Sequence, residues 1–252
     1  MKPLEELTKK DIQHIKLIVF DVDGVLVPRG TKIKQVGNKT SIEIKKINEK
    51  QIEQIKKLNK LGFKINISSG RGLYMLQEMF RGILSFVSLT YENGSATWFK
   101  GKIFQHVNSF NETKDVFDEL KKIKHKEIKG FEPKEFIITI HCKKRVKKIE
   151  EVVNKYRKLY WIWNAEAYDV GIREIQTKAT GLKSVIKLFK LHKKNVLAIG
   201  DNYNDKELLD EANIAVSADK SRLKGNFYVP LNGKFLPADL LMQKIIKERA
   251  KF

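Results

Sequence analysis

Apolar residues along this chain gather in short runs, and three of those runs break off into polar residues suited to chemistry. Leu17-Ile18-Val19-Phe20 leads into Asp21-Val22-Asp23-Gly24. Phe63-Lys64-Ile65-Asn66-Ile67 leads into Ser68-Ser69-Gly70-Arg71, and Val196-Leu197-Ala198-Ile199 into Gly200-Asp201-Asn202-Tyr203-Asn204-Asp205. Runs this short, β-branched and bounded by Gly fit buried strands of a parallel sheet better than helices. Between them the apolar spacing turns helical. Ile52, Ile55 and Leu58 recur along 48–61 with Gly62 at the C-terminal cap, and Tyr74, Leu76 and Phe80 mark a second helix. Leu182, Val185, Ile186 and Phe189 predict a helix over 181–191. Another runs through Leu208, Leu209 and Ala212, and Pro237 opens a terminal one. Further strands are predicted at 86–89, 214–216 and 227–229, and a short amphipathic helix at 1–14.

Two stretches interrupt the alternation. Residues 27–47 contain Pro28, Gly30 and Gly37, then alternate in Thr40-Ser41-Ile42-Glu43-Ile44, which predicts a loop and a β-hairpin flap beside the carboxylates. From 96 to 174 the texture changes to a hairpin around Lys100-Gly101, a helix over 111–124, a strand from Phe136 to Cys142, a lysine-rich helix over 144–159, and strands at 161–164 and 168–172. That is an α+β module inserted into an α/β chain. The expected architecture is a doubly wound parallel sheet formed by 1–95 and 175–252, carrying an α+β cap of 96–174. Its site should lie beyond the carboxyl ends of the strands.

Charge and composition alter this picture little. The 252 residues carry a formal charge of +20, almost all of it lysine. Such a surface attracts polyanions, but no basic-aromatic module of the kind that reads bases is present, so no dedicated nucleic-acid partner is expected. The one cysteine, Cys142, excludes an internal disulfide and a cysteine metal cluster, and its apolar run predicts a buried thiol. The first sixteen residues lack the apolar centre of a signal peptide, and no run reaches membrane-span length, so a soluble cytoplasmic protein is expected. The five histidines show no ligand spacing. His141, Trp161 and Trp163 are expected to pack in the cap rather than meet a substrate.

Asp21 and Asp23 stand two apart at a strand end, where strand geometry lets their side chains converge. Anions that close resist ionising together unless a cation sits between them, and Mg²⁺ prefers oxygen ligands of this kind. A solvated turn is the plain alternative. What raises the motif above it is the recurrence of polar signatures at Ser69-Gly70 and at Asp201/Asn204/Asp205, on strand ends that share one edge.

With these motifs in order, the chain resembles the haloacid dehalogenase superfamily, specifically phosphatases with an α+β type II (Cof-like, IIB) cap inserted after the third core strand of a Rossmann-like sheet. Asp21-Val22-Asp23-Gly24-Val25 matches the first motif, Ser69-Gly70-Arg71 the second, Lys183 the third and Gly200 to Asp205 the fourth, over residues 15–235. The Glu92-Asn93-Gly94 turn is similar to that of the sugar-phosphatase branch. The resemblance implies a Mg²⁺-dependent phosphomonoesterase for a small phosphorylated metabolite, a sugar phosphate or a phosphoglycolate-like acid. Asp21 would be the nucleophile that forms an aspartyl-phosphate, and Asp23 the general acid and base. Mg²⁺ would take Asp21, the Asp23 carbonyl, Asp201 and Asp205. Ser69, Gly70, Lys183 and Asn204 would receive the phosphoryl group. Lys178 competes with Lys183 for the cation's role, and Gly181-x-Lys183 at a helix start favours Lys183. The same motifs serve phosphomutases of the phosphomannomutase type, a second reading. A nucleic-acid-binding protein on this fold is a third.

Overall fold

In the computed structural model, residues 1–37, 39–230, 233 and 235–250 are described. The chain opens with β1 (Lys2–Pro3) and the single turn α1 (Lys9–Ile12), capped by Thr8. There follow β2 (Leu17–Phe20), a hairpin of β3 (Ile33–Val36) and β4 (Lys39–Ile42), α2 (Glu49–Lys60), β5 (Lys64–Ser68), α3 (Leu73–Met79), β6 (Val87–Tyr91), and a hairpin of β7 (Ala96–Phe99) and β8 (Lys102–Gln105). The insert contains α4 (Phe110–Lys121), β9 (Ile128–Glu132), β10 (Ile138–Cys142), α5 (Lys147–Asn154), β11 (Leu159–Trp163) and β12 (Ala167–Ile172). The chain then returns through α6 (Lys178–Leu188), β13 (Val196–Gly200), α7 (Lys206–Asp210), β14 (Ile214–Ser217), β15 (Phe227–Tyr228) and α8 (Pro237–Arg249).

The large sheet runs β1-β15-β14-β13-β2-β5-β6-β7-β8, parallel from β1 to β6. β2 lies at its centre, and its residues divide between two cores. Ile18 and Phe20 join α2, α3 and α8 through Ile55, Leu76 and Leu241 on one face. Leu17 and Val19 join α6 and α7 through Leu182, Val185 and Leu208 on the other. Both faces being covered, β2 and β13 read as unbroken apolar runs. This is the doubly wound sheet the sequence predicts.

The insert folds as an antiparallel sheet, β11-β12-β10-β9, with α4 and α5 on one face. Ile138, Ile140 and Cys142 of β10 pack there with Val116, Val152 and Tyr168, and the Cys142 thiol is buried. Trp161 and Trp163 set their rings against Tyr168. Period two sends Thr139 and His141 to the opposite face.

Four expectations change. Instead of a helix over 1–14 the chain has β1, a 3-10 turn over Leu4–Glu6 and the four-residue α1, because Pro3 and the Thr8 cap interrupt the run. The hairpin at Lys100-Gly101, expected in the insert, continues the large sheet antiparallel from β6, because the tight turn at Glu92-Asn93-Gly94, all at positive φ, folds β7 back onto β6. β9, absent from the sequence reading, supplies the edge of the cap sheet; its Gly130 and flanking lysines mask the apolar alternation. Helix α6 begins at Lys178, since Thr177 caps it by accepting from the Thr180 amide. The β3–β4 hairpin forms as expected and lies on β9, where Gln35 Oε1 accepts from the Phe131 amide at 3.1 Å. No helix among the described residues is long and apolar enough to cross a membrane.

Candidate active site

Parallel strands β2 and β13 are neighbours, so the turns that follow them meet. Asp21 leaves β2 with its amide donated to the Ile199 carbonyl of β13 at 3.0 Å. Gly24 turns the chain at φ +83°, and a Cβ there would run into the Asp201 carboxylate, so only glycine lets the two turns approach this closely. Asp205 folds back beneath them, accepting the amides of Asp201 and Asn202 at 3.0 and 3.1 Å. The carboxylates of Asp21, Asp201 and Asp205 each place an oxygen within 4.8 Å of the others, and all three residues are buried.

Two cations hold this cluster. Lys178, on the first turn of α6, donates to Asp21 Oδ1 at 2.5 Å and also to Asp205. Arg29, from the loop after β2, donates its Nε to Asp201 Oδ2 at 2.5 Å and its Nη2 to the Asp201 carbonyl at 3.0 Å. Burial and the charge of Asp205 push the Asp21 carboxyl well above the usual carboxylate range, with Lys178 offsetting them only in part. Burial and Asp205 likewise raise Asp201 to about 6 against the pull of Arg29. For Lys178 burial favours the neutral amine, but Asp205 and Asp21 outweigh it and its pKa rises. Three buried carboxylates therefore face two cationic side chains. An all-oxygen donor set with negative charge to spare fits a hard divalent cation such as Mg²⁺.

Asp23 faces away from that cluster. Arg71 grips both its oxygens, Nε to Oδ2 at 2.8 Å and Nη2 to Oδ1 at 2.7 Å, and Nη2 also donates to Thr31 Oγ1 at 2.9 Å. Burial works against the Arg71 charge, and Asp23 more than restores it. Ser69 sits at the end of β5, its Oγ accepting from the Arg71 amide at 3.2 Å.

A cavity of about 160 Å³ opens above, lined by Asp21, Asp23, Ser69, Gly70, Asp201 and Asn204 from the core. Its roof is the inner face of the cap sheet, with Glu132, Thr139, His141 and Asp169, joined by Lys134 from the loop between β9 and β10. Lys134 Nζ donates to the Gly70 carbonyl at 2.7 Å, tying cap to core, and Thr31 closes one side by donating its amide to Glu166 Oε2 at 3.0 Å. Of the residues the sequence singles out, Asp21, Asp23, Ser69, Gly70, Asp201, Asp205 and Asn204 gather here.

Lys183 does not. It lies five residues beyond Lys178 on α6, and at 100° per residue that puts it about 140° round the helix. Its side chain is 63% exposed and pairs with Glu211 at 3.1 Å. Lys178, not Lys183, is the lysine that reaches the carboxylates. His141, expected to be packing, lines the cavity with its Nε2 2.8 Å from Glu132 Oε2. Its signal is the alternation of Thr139 and His141 with Ile138, Ile140 and Cys142. Arg29 carries no comparable signal.

Carboxylates at neighbouring strand ends beneath an inserted cap are the arrangement of the haloacid dehalogenase class. A family model described as haloacid dehalogenase-like hydrolase matches residues 18–166 and again 108–224, and the chain belongs to this family. No curated protein matches it by sequence. Among solved structures it is similar to a phosphatase of the haloalkanoate superfamily from Bacteroides thetaiotaomicron, with 17% identity, TM-score 0.67, and 92% of this chain and 96% of that one covered. A subclass IIB sugar phosphatase aligns at 17% identity and TM-score 0.63 over 92% of this chain and 100% of the other. A protein from Thermoplasma acidophilum aligns at 18% identity and TM-score 0.67, covering 93% and 98%. At these identities the likeness is one of fold.

Proposed function

We propose that the protein is a Mg²⁺-dependent phosphomonoesterase that cleaves a small phosphorylated metabolite through an aspartyl-phosphate on Asp21. The observation that carries this is the seating of Asp21, with Lys178 and two further carboxylates, on the floor of a small cavity roofed by the cap. Mg²⁺, held by Asp21, Asp201 and Asp205, supplies charge neutralisation for the phosphoryl group when bound. The chain's own residues do the rest. An Asp21 oxygen attacks phosphorus, the ester P–O bond breaks, and Asp23, once turned from Arg71 and protonated from solvent, gives that proton to the departing oxygen. Asp23 then takes a proton from water, whose oxygen displaces Asp21 and frees inorganic phosphate. Lys178, Ser69 and the Gly70 amide stand where the phosphoryl oxygens gather charge. The flap and cap limit water around the acyl phosphate until the leaving group has gone.

The test is phosphate release from p-nitrophenyl phosphate with and without Mg²⁺, beside the Asp21→Asn variant. Metal-dependent release in the wild type, absent from the variant, is expected. Equal rates in the two proteins would remove the reading.

A further inference from the structure

Lysines that look scattered along the sequence are sorted by the fold of the cap. Residues 110–172 carry fifteen cationic and eleven acidic side chains. Ten of the cations fall in two short segments, 121–129 and 143–148, whose one acid is Glu127. The rest of the cap holds five cations and ten acids, so it is net negative while these segments are strongly positive. A uniform bias toward lysine would not divide one small module in this way.

Antiparallel pairing of β9 with β10 brings the two segments together. Cys142 faces Ile128, and the Lys143 amide donates to the Glu127 carbonyl at 2.8 Å. The first segment runs from the end of α4 into β9, and the second from the end of β10 into α5. Nine of the ten cations are exposed, and Lys129 is half-buried. Among the described residues only Arg145 and Lys148 have carboxylate partners, Glu150 at 2.9 Å and Glu151 at 3.9 Å. Nor does the placement serve the fold. Lys147 and Lys148 occupy the first turn of α5, which has no side-chain cap, and positive charge there opposes the helix dipole.

Aromatic rings flank the cluster. Lys121 Nζ lies 4.9 Å from the Phe131 ring centre and 5.6 Å from that of Phe117, whose side chain is 37% exposed. At the other edge of the cap sheet, Arg145 stands 5.3 Å from the Trp161 ring. No basic-aromatic module shows along the sequence because rings and cations come from different elements, and the fold assembles one. Clustered cations meet phosphates and an exposed ring meets unpaired bases, which is how single strands are held without sequence preference. An anionic membrane would call for apolar side chains to insert. The two segments offer only Ile123, Ile128 and Val146, all packed into the cap core.

We propose that this end of the cap, formed by 121–129 and 143–148 with Phe117, is a binding surface for single-stranded nucleic acid. Its phosphates lie against the lysines and a base stacks on Phe117. None of these residues belongs to the carboxylate cluster, so the surface stands whether or not the protein cleaves phosphomonoesters.

Fluorescence anisotropy of a labelled oligothymidylate of about twenty nucleotides, titrated with the full chain, tests this. Log Kd should rise with log salt with a slope of about 3 or more. The triple Lys124→Glu, Lys126→Glu, Lys144→Glu should weaken binding by about tenfold or more and take about 2 off that slope. The control triple Lys57→Glu, Lys102→Glu, Lys194→Glu makes the same charge change at exposed positions of the core and should weaken it by less than about threefold. Glutamine in place of glutamate at the same positions should give the same ordering with a smaller step. Phe117→Leu, which keeps apolar bulk against Phe131, should weaken the oligothymidylate about fivefold and leave inorganic polyphosphate unaffected. Equal weakening by the two triples, at unchanged thermal midpoint, would show that the charge acts diffusely and overturn the surface. Polyphosphate or phosphatidylserine vesicles bound as tightly as the oligothymidylate, or wild-type affinity in Phe117→Leu, would overturn the nucleic-acid assignment. Failure of the wild type to bind the oligothymidylate at low salt would overturn both.

Discussion

The Lys178 ammonium lies 2.5 Å from Asp21 Oδ1, and the same nitrogen reaches Asp205, so one cation bridges Asp21 and the carboxylate beneath it. Removing it leaves buried carboxylates facing each other and, on the proposed reaction, takes away a partner of the phosphoryl oxygens. Lys178→Ala should lower kcat by about a hundredfold to a thousandfold, the scale for loss of one transition-state donor. It should also cost about 3–5 kcal/mol of stability, the scale for breaking a buried pair. Lys183→Ala, on the solvated face of the same helix, should change stability by less than about 1 kcal/mol and leave turnover intact. Phosphate release and urea unfolding of the two variants settle which lysine serves the site.

How far the sequence reveals this site depends on the kind of signal each residue leaves. The strand ends are legible because a buried strand shows as an apolar run, and Asp21 and Asp201 can be paired because parallel strands expose their carboxyl ends on one edge. Lys178 is obscured because lysine is everywhere in this chain, and because Gly181 draws the helix start three residues too late. Thr177, a strong N-cap type, marks the true start. In the cap, the polar face of β10 is written in its alternation, but nothing local says that this face meets the catalytic floor. Arg29 lies 172 residues from Asp201 in a loop without periodicity, and such contacts arise only from tertiary packing.

Gly181 has a different role from marking a lysine. A Cβ on it would stand 2.6 Å from Thr90 Cγ2 and 2.7 Å from Gly94 Cα, so α6 lies directly against the turn after β6. Alanine gains about 1 kcal/mol of helix propensity over glycine, but overpacking against main chain costs about 1–3 kcal/mol and has no flexible side chain to absorb it. Gly181→Ala should therefore destabilise the fold, and by shifting α6 it should lower phosphate release through Lys178. Gly62→Ala is the comparison. Its φ is +89° with no atom within 4 Å, so about 1 kcal/mol of backbone strain and unaltered turnover are expected. Thermal unfolding and kcat read both.

Glu132 ties the stability of the cap to pH. Burial alone would raise its carboxyl, but Lys134, His141 and Arg71 together overturn that and hold it down at about 2, against an ordinary 4.5. A carboxyl with a depressed folded pKa stabilises the fold fully above the unfolded value and loses that stabilisation as pH falls through the folded value. The contribution, about 3 kcal/mol, is thus present at neutral pH and should fade between about 4.5 and 2. Urea unfolding of the wild type and Glu132→Gln should show the wild type ahead at pH 7 and the difference shrinking through that window. A constant difference at every pH would show that Glu132 acts by packing rather than by charge.

Arg29 holds a carboxylate that a divalent cation would also need. Arg29 holds Asp201 Oδ2, one of the three oxygens available to a metal, and the Asp201 carboxyl is raised to about 6 even with that guanidinium in place. A ligand that binds only the folded state adds about 2.7 kcal/mol at a hundred times its Kd, so Mg²⁺ should raise the thermal midpoint. In Arg29→Ala the competitor is gone while the three carboxylates remain, and the midpoint without metal should fall because Asp201 loses its counter-charge. The Mg²⁺-induced rise should then be larger than in the wild type and half-complete at lower Mg²⁺. Asp201→Ala should abolish the rise, since two carboxylates bridged by Lys178 are all that is left. Calorimetric titration with Mg²⁺ checks the ordering without recourse to turnover, and a wild-type affinity equal to that of Arg29→Ala would show that the guanidinium and the metal do not contend for Asp201.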